Sequence, residues 1–384
     1  MGAVCRAVWN TALEQRRMYR RRGGFVGYNE QARQVAEAKK DPDCAWLADA
    51  PSHTLQQTLR DLDHACKAHG TWKVRWRSKA RTAPSFRFPD RSQIAVRRVS
   101  RRWGEVRLPK FGLVRFRWSR PLGGVLRNAT VSRDGGRWYI SFCVEDGVTK
   151  AAPNGRPPVG VDRGVAVALA TSDGGLDDQE FVTPGEAARL KRLQQRLSRS
   201  LRVHDRNRGS KRRDATRAQL GRLNARIRAR RRDFAAQTAV RLVREHGLVA
   251  VEGLRIKNMT ASAKGTVEQP GRNVRQKAGL NRAILSKGWG GFLLKLEHAA
   301  RYHGAKIEKV NPAYTSQTCN ACKHVAPESR KSQAVFRCVA CGHQDHADVN
   351  TAKNILAAGL AVTGRGDLAD GRSAKRQPPE LIAA

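Results

Sequence analysis

The sequence lacks any feature that would place the protein in or on a membrane. No apolar run is long enough to span a bilayer, which takes about 20 residues. Residues 1–10 contain no apolar stretch of the signal-peptide kind, and Arg6 stands where a myristoylation signal carries Ser or Thr. These absences predict a soluble, cytoplasmic protein without a membrane partner.

Acidic residues are also scarce. The chain has 33 Asp plus Glu against 74 Lys plus Arg, which gives a formal net charge of +41 in 384 residues. The basic residues are spread along the whole length, so they favour a nucleic acid over a membrane surface or an acidic protein as the partner. At about 150 residues per domain, the length predicts two or three domains.

The cysteines fall into two groups. Four are isolated, and in a reducing compartment we expect them to be small core residues without disulfides: Cys5, Cys44, Cys66 and Cys143. The other four form two C-x-x-C pairs separated by 15 residues: Cys319 and Cys322, then Cys338 and Cys341. Two such pairs predict a structural Zn²⁺ site with four thiolate ligands and no open position for water. Buried or redox cysteines without metal are the alternative.

Lys323 replaces the Gly that often follows the second cysteine of such a pair, which predicts a looser turn at that position.

Hydrophobic periodicity predicts the organisation of the first half of the chain. Residues 1–71 are expected to be helical, because apolar residues from Leu55 to Cys66 repeat at spacings of three and four before Gly70. Residues 72–150 contain short alternating runs separated by Gly and Pro turns, which predicts a small antiparallel β-barrel with Arg-rich outer faces.

The second half of the chain has an α/β pattern over residues 155–310. Val159–Ala170 and Leu248–Glu252 are predicted buried strands, the second of them typical of a parallel sheet. Between them, residues 185–246 predict a helical hairpin with its turn at His204–Arg212. The segment Gly185–Arg232 carries 18 basic and three acidic residues, which favours phosphate contact over a merely solvated face.

The remaining segments are assigned by composition and spacing. Residues 257–280 predict a mobile loop, 289–302 a helix and 306–310 a strand. The zinc ribbon is placed at 311–343, a last α/β segment at 344–364 and a disordered tail at 365–384.

Three carboxylates stand at the edges of predicted elements: Asp162, Glu252 and Asp348. Phosphodiester cleavage with two magnesium ions requires carboxylates on rigid elements, with the ions about 3.5 to 4 Å apart. Each residue alone also has an ordinary explanation, as a turn residue, a strand-end charge or a helix N-cap. Asp345 competes with Asp348 for the third position.

Four motifs together resemble the TnpB (OrfB) family of bacterial insertion-sequence proteins. They are Gly160-Val161-Asp162-Arg163-Gly164, Val249-Ala250-Val251-Glu252-Gly253-Leu254, Pro312 to Cys319, and Asp345-His346-Ala347-Asp348-Val349-Asn350 with Ala352-Lys353-Asn354-Ile355. The resemblance covers roughly residues 5–360, and Pro312 to Ile355 is its most specific part. Type V CRISPR effectors share the same nuclease plan.

The resemblance implies a fold, an activity and partners. The expected fold is an RNase H-like (RuvC) α/β nuclease domain with an inserted zinc ribbon, preceded by a helical recognition segment and a wedge-like β-barrel. The implied activity is RNA-guided cleavage of a DNA target, with a guide RNA from the element's end and Mg²⁺ held by Asp162, Glu252 and Asp348. The family pattern of Asp, one residue, then Asn selects Asp348 over Asp345. The basic helices would grip the heteroduplex by its backbone, and we expect a monomer on RNA.

The chain departs from the family pattern at its beginning. Family members usually start with a β-strand and a Pro-containing turn before the helix that here carries Val8-Trp9-Asn10, whereas this chain starts inside that helix. Either the start codon is misassigned or the barrel lacks a strand. The departure bears on guide binding and leaves the catalytic motifs untouched.

Two other functions remain as alternatives. A non-cleaving RNA-guided repressor would keep the fold without the chemistry, although all three carboxylates are present. A strand-transferring transposase is disfavoured, because the sequence has no evident His-hydrophobe-His pair with a downstream catalytic Tyr. His298 and His303 are expected to be surface or packing residues.

Overall fold

A computed structural model describes residues 1–79, 82–149, 151–203 and 210–367. The chain divides into two compact units. Unit 1 contains Met1–Gly147 and Ala188–Arg226, and unit 2 contains Val148–Ala187 and Ile227–Ala384. The predicted hairpin turn at His204–Arg212 lies mostly outside the described residues, and so does most of the predicted disordered tail at 365–384. The finer domain boundaries stay predictions.

The first part of unit 1 is helical, as the sequence predicted. Its helices are α1 (Gly2–Arg21), α2 (Tyr28–Ala38) and α3 (Ser52–His69), with a 3-10 helix at Pro42–Asp49. Helix α3 ends at Gly70, whose φ of 82° lies in the left-handed region that glycine adopts readily. Unit 1 also includes most of α4 (Pro184–Val203) and the beginning of α5 (Lys211–Glu245), the two helices of the predicted basic hairpin.

The strands of unit 1 form two separate antiparallel sheets. One has the order β1-β5-β6 and the other the order β2-β3-β4. The strands are β1 (Ser85–Phe88), β2 (Ala95–Arg98), β3 (Trp103–Leu108), β4 (Gly112–Arg117), β5 (Val125–Asp134) and β6 (Arg137–Glu145). A further 3-10 helix lies at Arg91–Gln93.

The predicted closed β-barrel is not found in the described part of unit 1. Apolar side chains of both sheets are buried in one cluster with side chains of α1 and α3, among them Phe86, Phe88, Val106 and Leu108. Because helices cover these faces, the two sheets bury their apolar residues without closing on each other.

Unit 2 is built on a mixed five-stranded sheet of order β11-β10-β7-β8-β9. The strands are β7 (Pro158–Asp162), β8 (Leu169–Thr171), β9 (Leu176–Asp177), β10 (Leu248–Glu252) and β11 (Lys306–Val310). Strands β7, β10 and β11 are parallel, whereas β7, β8 and β9 are joined as antiparallel neighbours. The mixed α/β class is therefore confirmed. The single strand predicted over Val159–Ala170 is wrong, because the chain reverses between β7 and β8.

Helices cover the sheet of unit 2. Strands β7 and β10 pack in one cluster with α5 and with α8 (Trp289–His303). Helix α9 (Ala347–Asp367) packs on β7 and β10. It approaches so closely that a Cβ on Gly160 would lie 2.0 Å from the Ala352 carbonyl oxygen, and one on Gly359 would lie 2.5 Å from the Ala250 Cβ. Only glycine permits this approach, which fixes the start of α9 over the ends of the central strands.

The remaining elements of unit 2 are short or peripheral. They are α6 (Ile256–Met259), α7 (Val274–Lys287), a 3-10 helix at Pro327–Ser329, β12 (Val335–Arg337) and β13 (Gln344–His346). The mobile loop predicted at 257–280 is wrong in part, because α7 occupies its last residues. None of the helices in the described residues is long and apolar enough to cross a membrane.

Candidate active site and metal centre

The three predicted carboxylates lie at one edge of the sheet in unit 2. Asp162 is the last residue of β7 and Glu252 the last residue of β10. The two strands are parallel with Val161 opposite Val251, so both carboxylates leave the sheet at the same edge. Asp348 is the second residue of α9. The exposed fractions of Asp162, Glu252 and Asp348 are 8, 8 and 5%.

Burial and mutual repulsion disfavour ionisation of this cluster. Burial, followed by the charges of Glu252 and Asp348, raises the pKa of Asp162 to about 7. Burial also raises the pKa of Glu252, against the opposing effects of the Thr315 hydroxyl and the Arg163 guanidinium. The Thr315 hydroxyl donates to Glu252 Oε1 at 2.6 Å. Buried carboxylates that repel one another are a site where a cation would bind favourably.

Two arginines partly compensate this negative charge. Arg330 pairs with Asp348 Oδ1 at 2.8 Å, and its charge lowers the pKa of Asp162. Arg163, only 3% exposed, donates to the backbone oxygen of Glu252. Sequence reasoning assigned a role to neither residue. Arg163 was visible beside Asp162 in its motif, whereas no spacing rule marks Arg330, which follows the 3-10 helix inside the ribbon.

The cysteines and the carboxylates offer different kinds of metal ligand. Within the described ranges, the four cysteines are the only set of three or more His, Cys, Asp or Glu side chains close enough to share one ion. Oxygen ligands on rigid strand ends are the donor type that Mg²⁺ prefers.

Asp345, the competing candidate, has other partners. Its Oδ2 accepts from Lys353 Nζ at 2.7 Å and from Asn320 Nδ2 at 3.3 Å. The charge of Asp348, in contrast, helps to raise the pKa of Asp162.

The two C-x-x-C pairs converge on one point, with all four sulfurs within 4.8 Å of one another. The Sγ atoms of Cys319 and Cys341 are 3.8 Å apart, and those of Cys322 and Cys338 are 3.6 Å apart. A tetrahedron with Zn–S bonds of about 2.3 Å has edges of about 3.8 Å, so the geometry fits zinc. Backbone N–H groups, that of Cys341 first, lower the pKa of Cys338, whereas the pKa of Cys341 is raised, against the effect of the His343 N–H, by the thiols of Cys322, Cys338 and Cys319. Zinc would require all four as thiolates.

The predicted looser turn at Lys323 is wrong. Lys323 has a φ of 64° and Gly342, at the equivalent place in the second pair, has a φ of 72°. The amide of Lys323 donates to the Cys319 oxygen at 3.0 Å, and that of Gly342 donates to the Cys338 oxygen at 3.1 Å. Both turns therefore close in the same way, and Lys323 adopts the left-handed conformation.

The isolated cysteines differ in burial. Cys5 and Cys66 are buried and Cys44 is partly buried, but Cys143 is exposed. A core role for Cys143 is therefore wrong, because its side chain lies on the solvent-facing side of an alternating strand.

Amide side chains attach the cysteine site to helix α9. The backbone N–H of Asn320 donates to Asn350 Oδ1 at 2.9 Å, and Asn350 Nδ2 donates to the Thr318 oxygen at 2.8 Å. Asn354 Nδ2 donates to the oxygens of Thr318 and Thr315, at 2.7 and 3.1 Å. Because Asp348 is the second residue of α9, these hydrogen bonds link the position of Asp348 to the folding of the cysteine site.

The basic hairpin presents an arginine-lined cleft in unit 1. The cleft has a volume of about 370 Å³ and is lined by Arg189, Arg192, Arg196, Arg199 and neighbouring residues of α4 and α5. The spacing of these arginines places them on one face of α4. Their guanidinium groups are suited to binding phosphates.

The fold and these sites define a class of protein. It is a basic α/β protein with a buried carboxylate cluster at the end of its central strands and, just before the last carboxylate, a four-cysteine cluster that could hold a metal ion. Comparisons with known proteins specify this class further.

Two family descriptions match the chain. "Probable transposase" matches residues 141–263, and "Cas12f1-like, TNB domain" matches residues 289–355. The chain is 37% identical to the putative RNA-guided DNA endonuclease InsQ of Escherichia coli (strain K12), over 99% of this chain and 93% of that protein. It is 31% identical to a putative RNA-guided DNA endonuclease of Streptomyces pristinaespiralis, over 99% of this chain and 91% of that protein.

A solved structure of a Cas12f1–sgRNA–target DNA complex is similar with a TM-score of 0.49 and 14% identity, over 91% of this chain and 80% of that chain. The similarity to the two full-length relatives shows the family. The chain belongs to the TnpB (OrfB) family of insertion-sequence proteins.

Proposed function

We propose that this protein is an RNA-guided DNA endonuclease. Its partners are a guide RNA from the end of its transposable element and the DNA target with which that RNA pairs. The proposal rests on relatives named as putative RNA-guided DNA endonucleases that align with 99% of this chain. The net charge of +41 suits a protein that holds two polyanions at once.

The nuclease site is assigned to unit 2 as a RuvC-like, RNase H-like domain with Asp162, Glu252 and Asp348 as catalytic residues. The observation that carries this assignment is the burial of three carboxylates at one sheet edge, where their repulsion helps to raise the pKa of Asp162 to about 7. A purely structural role is disfavoured because burying like charges that are only partly compensated destabilises a fold.

Mg²⁺ is the cation proposed for these carboxylates, and when bound it supplies charge neutralisation and an activated water for phosphodiester hydrolysis. Asp162, Glu252 and Asp348 provide the oxygen ligands. The Thr315 hydroxyl fixes the orientation of Glu252 through its bond to Oε1. Near neutral pH, burial and the neighbouring carboxylates keep the Asp162 carboxyl protonated for part of the time, and a cation would bind its deprotonated form.

Arg330 is proposed to orient the scissile phosphate. Its side chain is 28% exposed, and its Nη2 lies 2.8 Å from Asp348 Oδ1. A guanidinium group has five N–H donors, so Arg330 could bind a phosphate oxygen in addition to Asp348. The four cysteines are proposed to bind structural Zn²⁺, which keeps the ribbon and the start of α9 in register.

Two alternatives are less well supported. A non-cleaving repressor would have no need for the carboxylate cluster. A CRISPR effector is disfavoured because the match to the Cas12f1-like description is confined to residues 289–355, whereas the two relatives named above align over almost the whole chain. The cytoplasmic location stays a prediction.

The protein should be purified with co-expressed RNA and incubated in magnesium with DNA that matches the RNA, after the RNA has been sequenced. We expect cleavage by the wild type and by the control variant Asp173→Ala, whose side chain is 59% exposed. Asp162→Ala should retain RNA and lose cleavage. Equal cleavage by Asp162→Ala would refute the site assignment, and an absence of any discrete co-purifying RNA would refute guidance by RNA.

A further inference from the structure

A short segment of unit 1, residues 72–77, runs along helix α1 without belonging to a helix or strand. Side chains of α1 hold its backbone at several points. Arg17 Nη2 donates to the oxygens of Trp72 and Val74, at 3.2 and 2.8 Å. Asn10 makes two bonds of 2.9 Å to the backbone of Arg77. The segment is thus fixed by the helix and not by a sheet.

This attachment places two tryptophans on the surface. Val74 is buried, whereas Trp72 and Trp76 on either side of it are 53 and 44% exposed. The guanidinium carbon of Arg17 lies 5.8 Å from the centroid of the Trp72 ring and 5.1 Å from that of Trp76. Arg21 adds a second guanidinium 5.7 Å from the Trp72 ring. We call Trp72, Trp76 and Arg17 the stacking platform.

The surroundings of the platform are strongly positive. Arg20, Arg21 and Arg22 follow at the end of α1. In the described part of the chain, none of the ion pairs involves Arg17, Arg20 or Arg21. The charge therefore favours a polyanion as the occupant.

The indole and guanidinium groups of the platform favour a nucleic acid with unpaired bases over other polyanions. Indole and guanidinium planes stack on bases, and bases are accessible for stacking only where they are unpaired. A duplex would meet these residues with its backbone and would leave the indole faces unused. The proposed guide RNA offers unpaired bases whenever it is bound, whereas a DNA target offers them only after its duplex has been opened. An RNA that is retained and not cut fits the platform better.

We propose that Trp72, Trp76 and Arg17 form a stacking platform for unpaired bases of the bound RNA. The inference rests on the proposed function, since it takes that RNA to be the guide. It assigns to the N-terminal helix and the adjoining segment a contact with RNA bases, in addition to contacts with phosphates.

The test compares Trp72→Leu and Trp76→Leu with the control Trp46→Leu, whose tryptophan is also 44% exposed but has no arginine over its ring in the described residues. The full-length protein is freed of nucleic acid at high salt. Fluorescence anisotropy then gives its affinity for oligouridine and oligothymidine of about ten nucleotides, and for an RNA duplex, across a salt series.

Each platform variant should bind oligouridine roughly 5- to 150-fold more weakly for each base whose stacking is lost. The salt dependence should not change, because no charge is removed. Duplex binding and the Trp46 control should match the wild type. In the complex purified with its own RNA, ultraviolet crosslinks should join Trp72 or Trp76 to unpaired nucleotides.

Equal oligouridine affinity of the wild type and both variants would overturn the proposal. A loss confined to oligothymidine would also overturn it and would assign the platform to DNA. The assay requires neither a guide nor magnesium. If the platform variants lose oligouridine binding but the wild type never cleaves DNA, only the proposed function is refuted. If the wild type cleaves DNA and the variants bind oligouridine as tightly as the wild type, only the platform is refuted.

Discussion

Replacement of Asp162 by Asn should stabilise the magnesium-free protein at alkaline pH and have little effect at acid pH. In the folded protein, burial and then the charges of Glu252 and Asp348 raise the pKa of Asp162 from its usual 3.8 to about 7. Between these two values the unfolded chain has lost the proton while the folded protein keeps it. The wild type therefore loses stability as the pH rises through this window, and the full penalty is present above it.

The size of the effect follows from the same two pKa values, 3.8 and about 7. Each pKa unit corresponds to about 1.4 kcal/mol, so the interval corresponds to at most about 4 kcal/mol. Asn resembles the protonated acid in shape and carries no charge at any pH, so Asp162→Asn escapes this penalty. In a domain of about 200 residues, about 1 kcal/mol shifts Tm by about 2 to 4 °C, so the variant should gain at most roughly 8 to 16 °C at about pH 8.5.

Thermal unfolding of the two proteins at about pH 4.5 and about pH 8.5, in magnesium-free buffer without chelator, measures this difference. Asp173→Asn is the control, because hydrogen bonding by Thr171 lowers the pKa of Asp173, so its substitution should not stabilise at alkaline pH. Addition of magnesium should raise Tm of the wild type but not that of Asp162→Asn. A Tm of Asp162→Asn equal to or below that of the wild type at alkaline pH would refute the electrostatic account of the cluster.

Three further changes have defined outcomes. Arg330→Gln removes a charge that lowers the pKa of Asp162, so the acid limb of the cleavage pH profile should move to higher pH; an unmoved limb would contradict this coupling. Cys341→Ser should lower zinc content and reduce cleavage with the carboxylates intact, measured by metal analysis and a cleavage assay; full activity without zinc would exclude a structural link between the two sites. The double substitution Arg192→Ala and Arg196→Ala should reduce the slope of log affinity against log salt by about 0.7 to 0.9 for each lost phosphate contact; an unchanged slope would exclude the cleft from phosphate binding.

Glu252 and Asp348 could be located from the sequence because the end of one element and the beginning of another are recognisable there. The apolar run Leu248–Val251 stops at Glu252, and helical spacing begins beside Asp348. The pairing of β7 with β10, which brings Asp162 and Glu252 to one edge, follows from the preference of buried apolar strands for parallel pairing. The catalytic role of these residues stays a proposal.

Two features of unit 2 could not be predicted from composition or spacing. The run Val159–Ala170 is apolar almost throughout, so its composition does not show that the chain reverses after Asp162. The reversal requires Gly164, where a Cβ would lie 2.5 Å from the Val167 oxygen. Likewise, the pairing of Arg330 with Asp348 depends on the fold of the ribbon and not on any spacing rule.

The two sheets of unit 1 illustrate the same limit. Alternation predicted short antiparallel strands within residues 72–150, but alternation shows only which face of a strand is apolar and not what covers that face. Helices α1 and α3 cover the apolar faces here, and a closed barrel is not needed to bury them. Polar composition was similarly misleading for α7, in which only Ile284 is buried.

Retargeting by a changed guide tests the central claim most directly. The guide portion of the co-purifying RNA is replaced, and the complex is incubated in magnesium with one DNA that matches the old guide and one that matches the new guide. The account predicts that the wild type cuts only the DNA matching the new guide, and that Asp162→Ala binds this DNA without cutting it. Cleavage that ignores the guide sequence, or that persists in Asp162→Ala, would contradict the account.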